Sequence, residues 1–114
     1  MGYIVEDHFI NKNPVVTAIY KRIIAECQQF GQVKQVAKKT SIHLDAKAGF
    51  AGVYTRKNYL LLKIHTDFEI DSERIEKSER ISTNRFKHTV KLTDPIDVDQ
   101  QICHWLKAAY ELKS

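Results

Sequence analysis

Two Asx-Pro steps constrain this chain more tightly than any other feature of it. Asn13-Pro14 and Asp94-Pro95 contain its only two prolines. Each sets a capping side chain just ahead of a proline at the first helical position, where the missing N–H has no partner to lose. Behind the first step, Val16, Ile19, Tyr20, Ile23, Ile24, Cys27 and Phe30 recur at intervals of three and four, one apolar stripe on a helix. Lys21, Arg22, Glu26 and Gln29 fall on the wet side, and Gly31 offers the left-handed stop. A helix is predicted over 14–30. Behind the second step, Val98, Ile102, Trp105, Leu106, Ala109 and Leu112 form another stripe. Asp97 and Asp99 lie in its first turn, where the helix dipole favours negative charge, with Lys107 and Lys113 toward the other end. A second helix is predicted over 95–112.

Between the helices the apolar period drops to two. Ile42, Leu44 and Ala46 alternate with Ser41, His43 and Asp45, and Phe86, His88, Val90 and Leu92 alternate with Lys87, Thr89 and Lys91. Such alternation marks strands with one wet face. Gly49 and Gly52 bracket Phe50-Ala51 ahead of Val53-Tyr54, and Arg56-Lys57-Asn58 reads as a turn. Tyr59-Leu60-Leu61-Leu62-Lys63-Ile64 is the most apolar run and is predicted to lie centrally. Ser82-Thr83-Asn84 supplies a further turn. Ahead of it an edge strand is predicted over about 75–81, its Lys and Glu guarding the exposed edge. Strands this close leave no room for helical crossovers, so the sheet is antiparallel. The expected architecture is an α+β two-layer sandwich, an antiparallel sheet of four to five strands with an N-terminal and a C-terminal helix packed on it. At 114 residues, 1–114 reads as a single domain.

Hydrophobic residues make up 43% and charged residues 28%. That balance excludes a disordered tail, a collagen-like rod and a disulfide scaffold. No apolar run approaches the ~20 residues that cross a bilayer, so no membrane partner is expected. Cys27 and Cys103, far apart and behind a start with no basic, apolar leader, fit a reducing cytoplasm. Eighteen Lys and Arg against 14 Asp and Glu leave a charge of +4, which permits an anionic partner.

Familiar catalytic and ligand spacings are missing. Without Cys-x-x-Cys, His-x-x-x-His or His-Glu-x-x-His, no metal and no cofactor is implied, and both cysteines read as small buried hydrophobes. There is no Gly-x-Ser-x-Gly, no Ser-x-x-Lys and no glycine-rich loop opening a helix. Cys103 and His104, adjacent on a helix, point about 100° apart and form no dyad. Asp67, Glu69 and Asp71 read as solvated loop charges. No catalytic residue is assigned, and the chain reads as a binding domain rather than an enzyme.

What remains is a basic surface and one inward histidine. Lys38, Lys39, Arg56, Lys57, Arg85 and Lys87 fall in the sheet region or its turns, with Tyr54 and Tyr59 flanking the Arg56-Lys57 turn. A hairpin tipped with cations beside aromatic rings is a shape that contacts phosphates and stacks on bases. His88 falls in phase with Phe86, Val90 and Leu92, whereas His43 and His65 fall out of phase with their apolar neighbours. An inward histidine serves either as a hydrogen-bonded core residue or as the wall of an anion pocket.

Val5-Glu6-Asp7-His8-Phe9, Lys38-Lys39-Thr40-Ser41-Ile42, Phe50-Ala51-Gly52-Val53-Tyr54, Ser82-Thr83-Asn84-Arg85-Phe86-Lys87-His88 and the run from Leu92-Thr93 to Trp105-Leu106-Lys107-Ala108-Ala109-Tyr110 together resemble domain of unknown function 5655. The resemblance covers nearly the whole chain. It implies a small bacterial or archaeal α+β domain, found alone or beside nuclease-like domains, and hence a nucleic-acid context. Matching positions outside the core are His8, Arg56, Arg85 and His88, which become the candidate ligand-binding set.

Three readings follow. The first is a non-catalytic module binding nucleic acid or another polyanion through Lys38, Lys39, Arg56, Lys57, Arg85 and Lys87. The second is a pocket for a small anionic ligand, with or without chemistry, in which His8, Arg56, Arg85 and His88 converge. The third is a homodimer or protein-interaction domain using an open sheet face.

Overall fold

In the computed structural model, which describes residues 2–114, the two helices bracket six strands. A 3-10 helix at Val5–Phe9 precedes α1 (Pro14–Cys27). The strands are β1 (Lys34–Ala37), β2 (Ile42–Asp45), β3 (Gly49–Thr55), β4 (Leu60–Thr66), β5 (Ile75–Ser82) and β6 (Arg85–Leu92). A short 3-10 helix at Pro95–Asp97 leads into α2 (Gln100–Lys113). All strand pairs are antiparallel, in the order β1-β2-β3-β4-β6-β5. This is the expected α+β layout, with the most apolar run, β4, inside the sheet. The strand beyond the expected four to five is β1. Only Val36 and Ala37 in it are even half-buried, so its apolar pattern is too short to announce a strand, and pairing with β2 creates it.

α1 starts at its proline but stops early, whereas α2 starts only at Gln100, past Pro95. Asn13 caps α1 by accepting from the Val15 N–H at 3.0 Å. The helix ends at Cys27 rather than 30, and turn hydrogen bonds carry the chain through Phe30 to Gly31. Gly31 has φ +150°, and a Cβ there would run into the Tyr110 hydroxyl of α2. Asp94 caps only the 3-10 turn, through Ile96 N–H at 3.0 Å. Asp99, expected inside the helix, is instead the cap of α2, accepting from Ile102 N–H at 3.1 Å. Two successive caps split the predicted helix, and Val98 between them is buried.

Both helices cover one side of the sheet. Ile42, Val53, Leu62 and Val90 are direct cross-strand neighbours from β2 to β6 and are all buried. They meet Ile19 and Ile23 of α1 and Ile102 and Leu106 of α2 in the same core. A bulge after Leu44 inserts Phe50 as an extra residue, since Leu44 faces Ala51 and Asp45 faces Gly49. The bulge turns Phe50 into the core, edge-on to Tyr110 with centroids 5.5 Å apart. Burial of this kind makes Phe50 worth about 3–5 kcal/mol against truncation to alanine. At the other margin, bulges on both ends of β5, with Glu76, Lys77 and Glu79, keep that edge from adding further strands.

Candidate functional site

The opposite face of the sheet carries no helix. Strand pairing arranges its side chains in three rows. One runs Val36, His43, Gly52, Lys63, Thr89, Lys77 across all six strands. Beside it lie Tyr54, Leu61, Lys91 on one flank and His65, Lys87, Glu79 on the other. Lys34 and Asp45 pair at the β1 margin. At register positions the lysines on this face are Lys34, Lys63, Lys77, Lys87 and Lys91, and the carboxylates are Asp45 and Glu79. Positive potential therefore dominates the surface.

Two of these lysines are held upright by aromatic rings. The Lys63 ammonium stands 4.5 Å from the Tyr54 ring centroid, and the Lys91 ammonium 4.4 Å from that of Tyr59. The ring quadrupole attracts a cation and thereby limits the lysine's freedom. The rings are thus engaged by ammonium groups, and a base stacks on them only when the lysine swings away to a phosphate. Gly52 has no side chain, so a hollow of about 160 Å³ opens above it, walled by His43, Tyr54, Lys63, His65 and Lys87. Burial, followed by the charges of Lys87, Lys113 and His43, lowers the His65 imidazole from 6.5 to about 4. It is neutral at physiological pH.

Of the candidate phosphate and ligand residues, Lys87 falls on this face, and Arg85 shares its strand phase at the far end of β6. His8, Lys38, Lys39, Arg56 and Lys57 gather instead at one end of the sheet, around the β1–β2 and β3–β4 turns. There His8 acts as a clasp. Its Nε2 donates to the Lys38 carbonyl at 2.8 Å, and its own carbonyl accepts from Thr55 Oγ1 at 2.7 Å. Arg56 is exposed, with Nη1 donating to the Thr55 carbonyl at 3.1 Å. Arg85 lies at the β5–β6 turn, donating to the Asn84 carbonyl at 2.8 Å. The seven residues of β4 separate the Arg56 end from the Arg85 end, about 20 Å at strand rise.

His88 corrects the pocket expectation. It is fully buried on the helix side of the sheet, beside Ile64. Its Nδ1 lies 2.9 Å from Ser78 Oγ, and its Nε2 lies 3.2 Å from Thr66 Oγ1 and 3.3 Å from the Phe68 carbonyl. A carbonyl only accepts, so Nε2 carries the proton and Ser78 donates to Nδ1. The imidazole is satisfied, stacked on Phe86 with centroids 6.2 Å apart, and met by the β4–β5 loop through the Phe68 carbonyl. His8 and Arg56 thus share one end of the sheet, Arg85 and His88 lie elsewhere, and the four line no common cavity. A strand's two-residue period put His88 on the inner face, and tertiary packing then closed that face over it.

Of the residues around Gly52, His43, Lys63 and His65 lay outside the candidate set, yet all carried a signal. His43, Tyr54, Lys63, His65 and Lys87 all lie out of phase with the apolar residues of their strands. Phase alone assigns a face but not a neighbour. The register of three pairings is needed to bring these five around Gly52.

Other features are structural. Cys27 is buried and Cys103 half-buried, and both are free. Burial pushes their thiols up to about 12 and about 11, so neither is a nucleophile near neutral pH. Among the described residues no cluster of His, Cys, Asp and Glu is arranged for a metal. Nor is any helix among them long and apolar enough to cross a membrane. Larger grooves lie between the 3-10 helix Val5–Phe9 and α1 (about 540 Å³, lined by Phe9, Tyr20 and Ile24) and beside the β2–β3 turn (about 520 Å³, with Lys34, Asp45 and Tyr110).

The fold and this face define a small α+β domain whose antiparallel sheet has one side packed under helices and the other open and basic. The chain belongs to the family described as domain of unknown function (DUF5655), whose model matches residues 5–113. No curated protein and no solved structure matches it.

Proposed function

We propose that this protein is a non-catalytic module that binds nucleic acid through the open face of its sheet. One observation carries the reading: five lysines against two carboxylates at the paired positions of an uncovered face, two of the lysines braced on tyrosines. The cationic turns at either end, with Lys38, Lys39, Arg56 and Lys57 at one and Arg85 at the other, extend the track along which a strand's phosphates would lie. Phosphate contacts from Lys and Arg position a strand, and tyrosines released by their lysines supply sequence-tolerant stacking. Neither helix carries a comparable cluster to enter a duplex groove, so a single strand suits this surface better. The unpaired thiols suit a reducing, cytoplasmic setting.

The test is fluorescence anisotropy with a labelled single-stranded oligonucleotide across a salt series. For single strands the slope of log K against log salt is about −0.7 per phosphate neutralised, so engagement of Lys63, Lys87 and Lys91 predicts a slope of roughly −2 from these three alone. Lys63→Gln with Lys91→Gln should weaken binding and flatten the slope. Absence of binding at low salt, or binding that ignores these substitutions, overturns the reading.

A further inference from the structure

The hollow above Gly52 is more specific than the surface around it. Gly52 lies between His43 of β2 and Lys63 of β4 as the direct cross-strand partner of both. A Cβ there would sit 3.3 Å from Tyr54 Cε1, so the tyrosine ring borders the gap that the glycine leaves. The same ring holds the Lys63 ammonium at its rim. Lys87 closes the other side, and Glu79, its neighbour on β5, commits its carboxylate to Lys77 at 3.3 Å. No carboxylate lines the hollow. His8 and His88 spend ring nitrogens on protein partners. His43 and His65 make no such bond among the described residues, and both line the hollow.

We propose that this hollow is a subsite for one phosphate monoester group. Two ammonium groups match the two charges of a monoester dianion. The imidazoles of His43 and His65 add N–H donors, and charge-assisted bonds of this kind are the strong ones. Size sets the limit. A volume of about 160 Å³ equals roughly five water molecules at their share of the liquid. It admits a tetrahedral oxyanion with a little water and is too small to enclose a nucleoside. The proposal rests on the open face being anion-binding and names what its centre takes: the terminal phosphate of a nucleic-acid strand, or free phosphate.

Affinity is measured for two oligonucleotides of one sequence, one with a 5′-phosphate and one with a 5′-hydroxyl, while inorganic phosphate is titrated separately against the imidazole NMR signals of His43 and His65. The phosphorylated strand should bind roughly tenfold tighter. Inorganic phosphate should shift both imidazoles and abolish that advantage. Gly52→Val fills the hollow and Lys87→Gln removes one cation, and each should erase the difference between strands while leaving residual 5′-hydroxyl binding. Should Gly52→Val not fold, Lys87→Gln gives the same readout on a half-buried surface side chain. Equal affinity for both strands, with imidazoles unmoved by phosphate, overturns the subsite and leaves the nucleic-acid reading standing. Phosphate shifting both imidazoles while neither strand binds supports the subsite with free phosphate as its ligand and removes the nucleic-acid reading.

Discussion

His65 and Lys87 sit directly opposite one another across β4 and β6, both on the open face. The imidazole is half-buried there, and burial more than any neighbouring charge lowers it from 6.5 to about 4; Lys87, Lys113 and His43 add to the effect. The unfolded chain therefore takes up the proton first as pH falls. Stability contributed by the neutral imidazole is complete above about 6.5 and drains between there and about 4. An NMR titration should place the His65 midpoint near 4, and Lys87→Gln should raise it without restoring the ordinary value. A wild-type midpoint near 6.5 would contradict this packing.

His88 should matter for folding and not for ligand binding. Its replacement by alanine removes a buried ring and its bonds to Ser78 Oγ and Thr66 Oγ1, a loss of about 2–4 kcal/mol in urea unfolding. Oligonucleotide affinity of the remaining folded protein should be unchanged, because His88 lies on the far side of the sheet. Lost affinity with intact stability would place His88 in a ligand site after all.

Gly31 answers to two demands at once, a positive φ and the approach of Tyr110. Gly31→Ala should destabilise by about 1–3 kcal/mol in urea unfolding. Combining it with Tyr110→Phe, which removes the hydroxyl that crowds the position, should cost less than the two single changes added together. Strict additivity would show that the close approach contributes nothing.

Arg74 ties the β4–β5 loop to α2. Its Nη1 lies 2.9 Å from both carboxylate oxygens of Asp99, and its Nη2 donates to the Asp97 carbonyl at 2.7 Å. Partial burial pushes the Asp99 carboxyl up, but hydrogen bonds from Arg74 and the Ile102 N–H, with the Arg74 charge, hold it below the usual 3.8. That contribution is present above 3.8 and is lost as pH falls below it. Both side chains are partly exposed, so Arg74→Ala should cost only about 1–2 kcal/mol at neutral pH and less in acid, measured by urea unfolding at both. A loss that does not shrink in acid would remove the ion pair from its cause.

The start of α1 was legible because Asn13-Pro14 acts through local backbone chemistry, whereas Asp94-Pro95 opens only a 3-10 turn. The end of α1 at Cys27 and the start of α2 behind Asp99 were not legible, being set by packing and by a second cap. The strands from β2 to β6 followed from alternation, whereas β1 exists only because β2 offers it a ladder. Phe50 shows the same limit in one residue: the bulge that turns it inward is invisible in its spacing.

The candidate site divides along that line. The amino-acid order determined which residues face away from the core, because a strand's side chains alternate and apolar partners claim one side; His43, Tyr54, Lys63, His65 and Lys87 were fixed as outward by that rule. Only the tertiary structure decided which of them meet. Cross-strand register set Gly52 between His43 and Lys63 and put Lys87 against His65, while the length of β4 carried Arg56 and Arg85 apart. Proximity across strands depends on pairing distant segments, which no local interaction along the chain records.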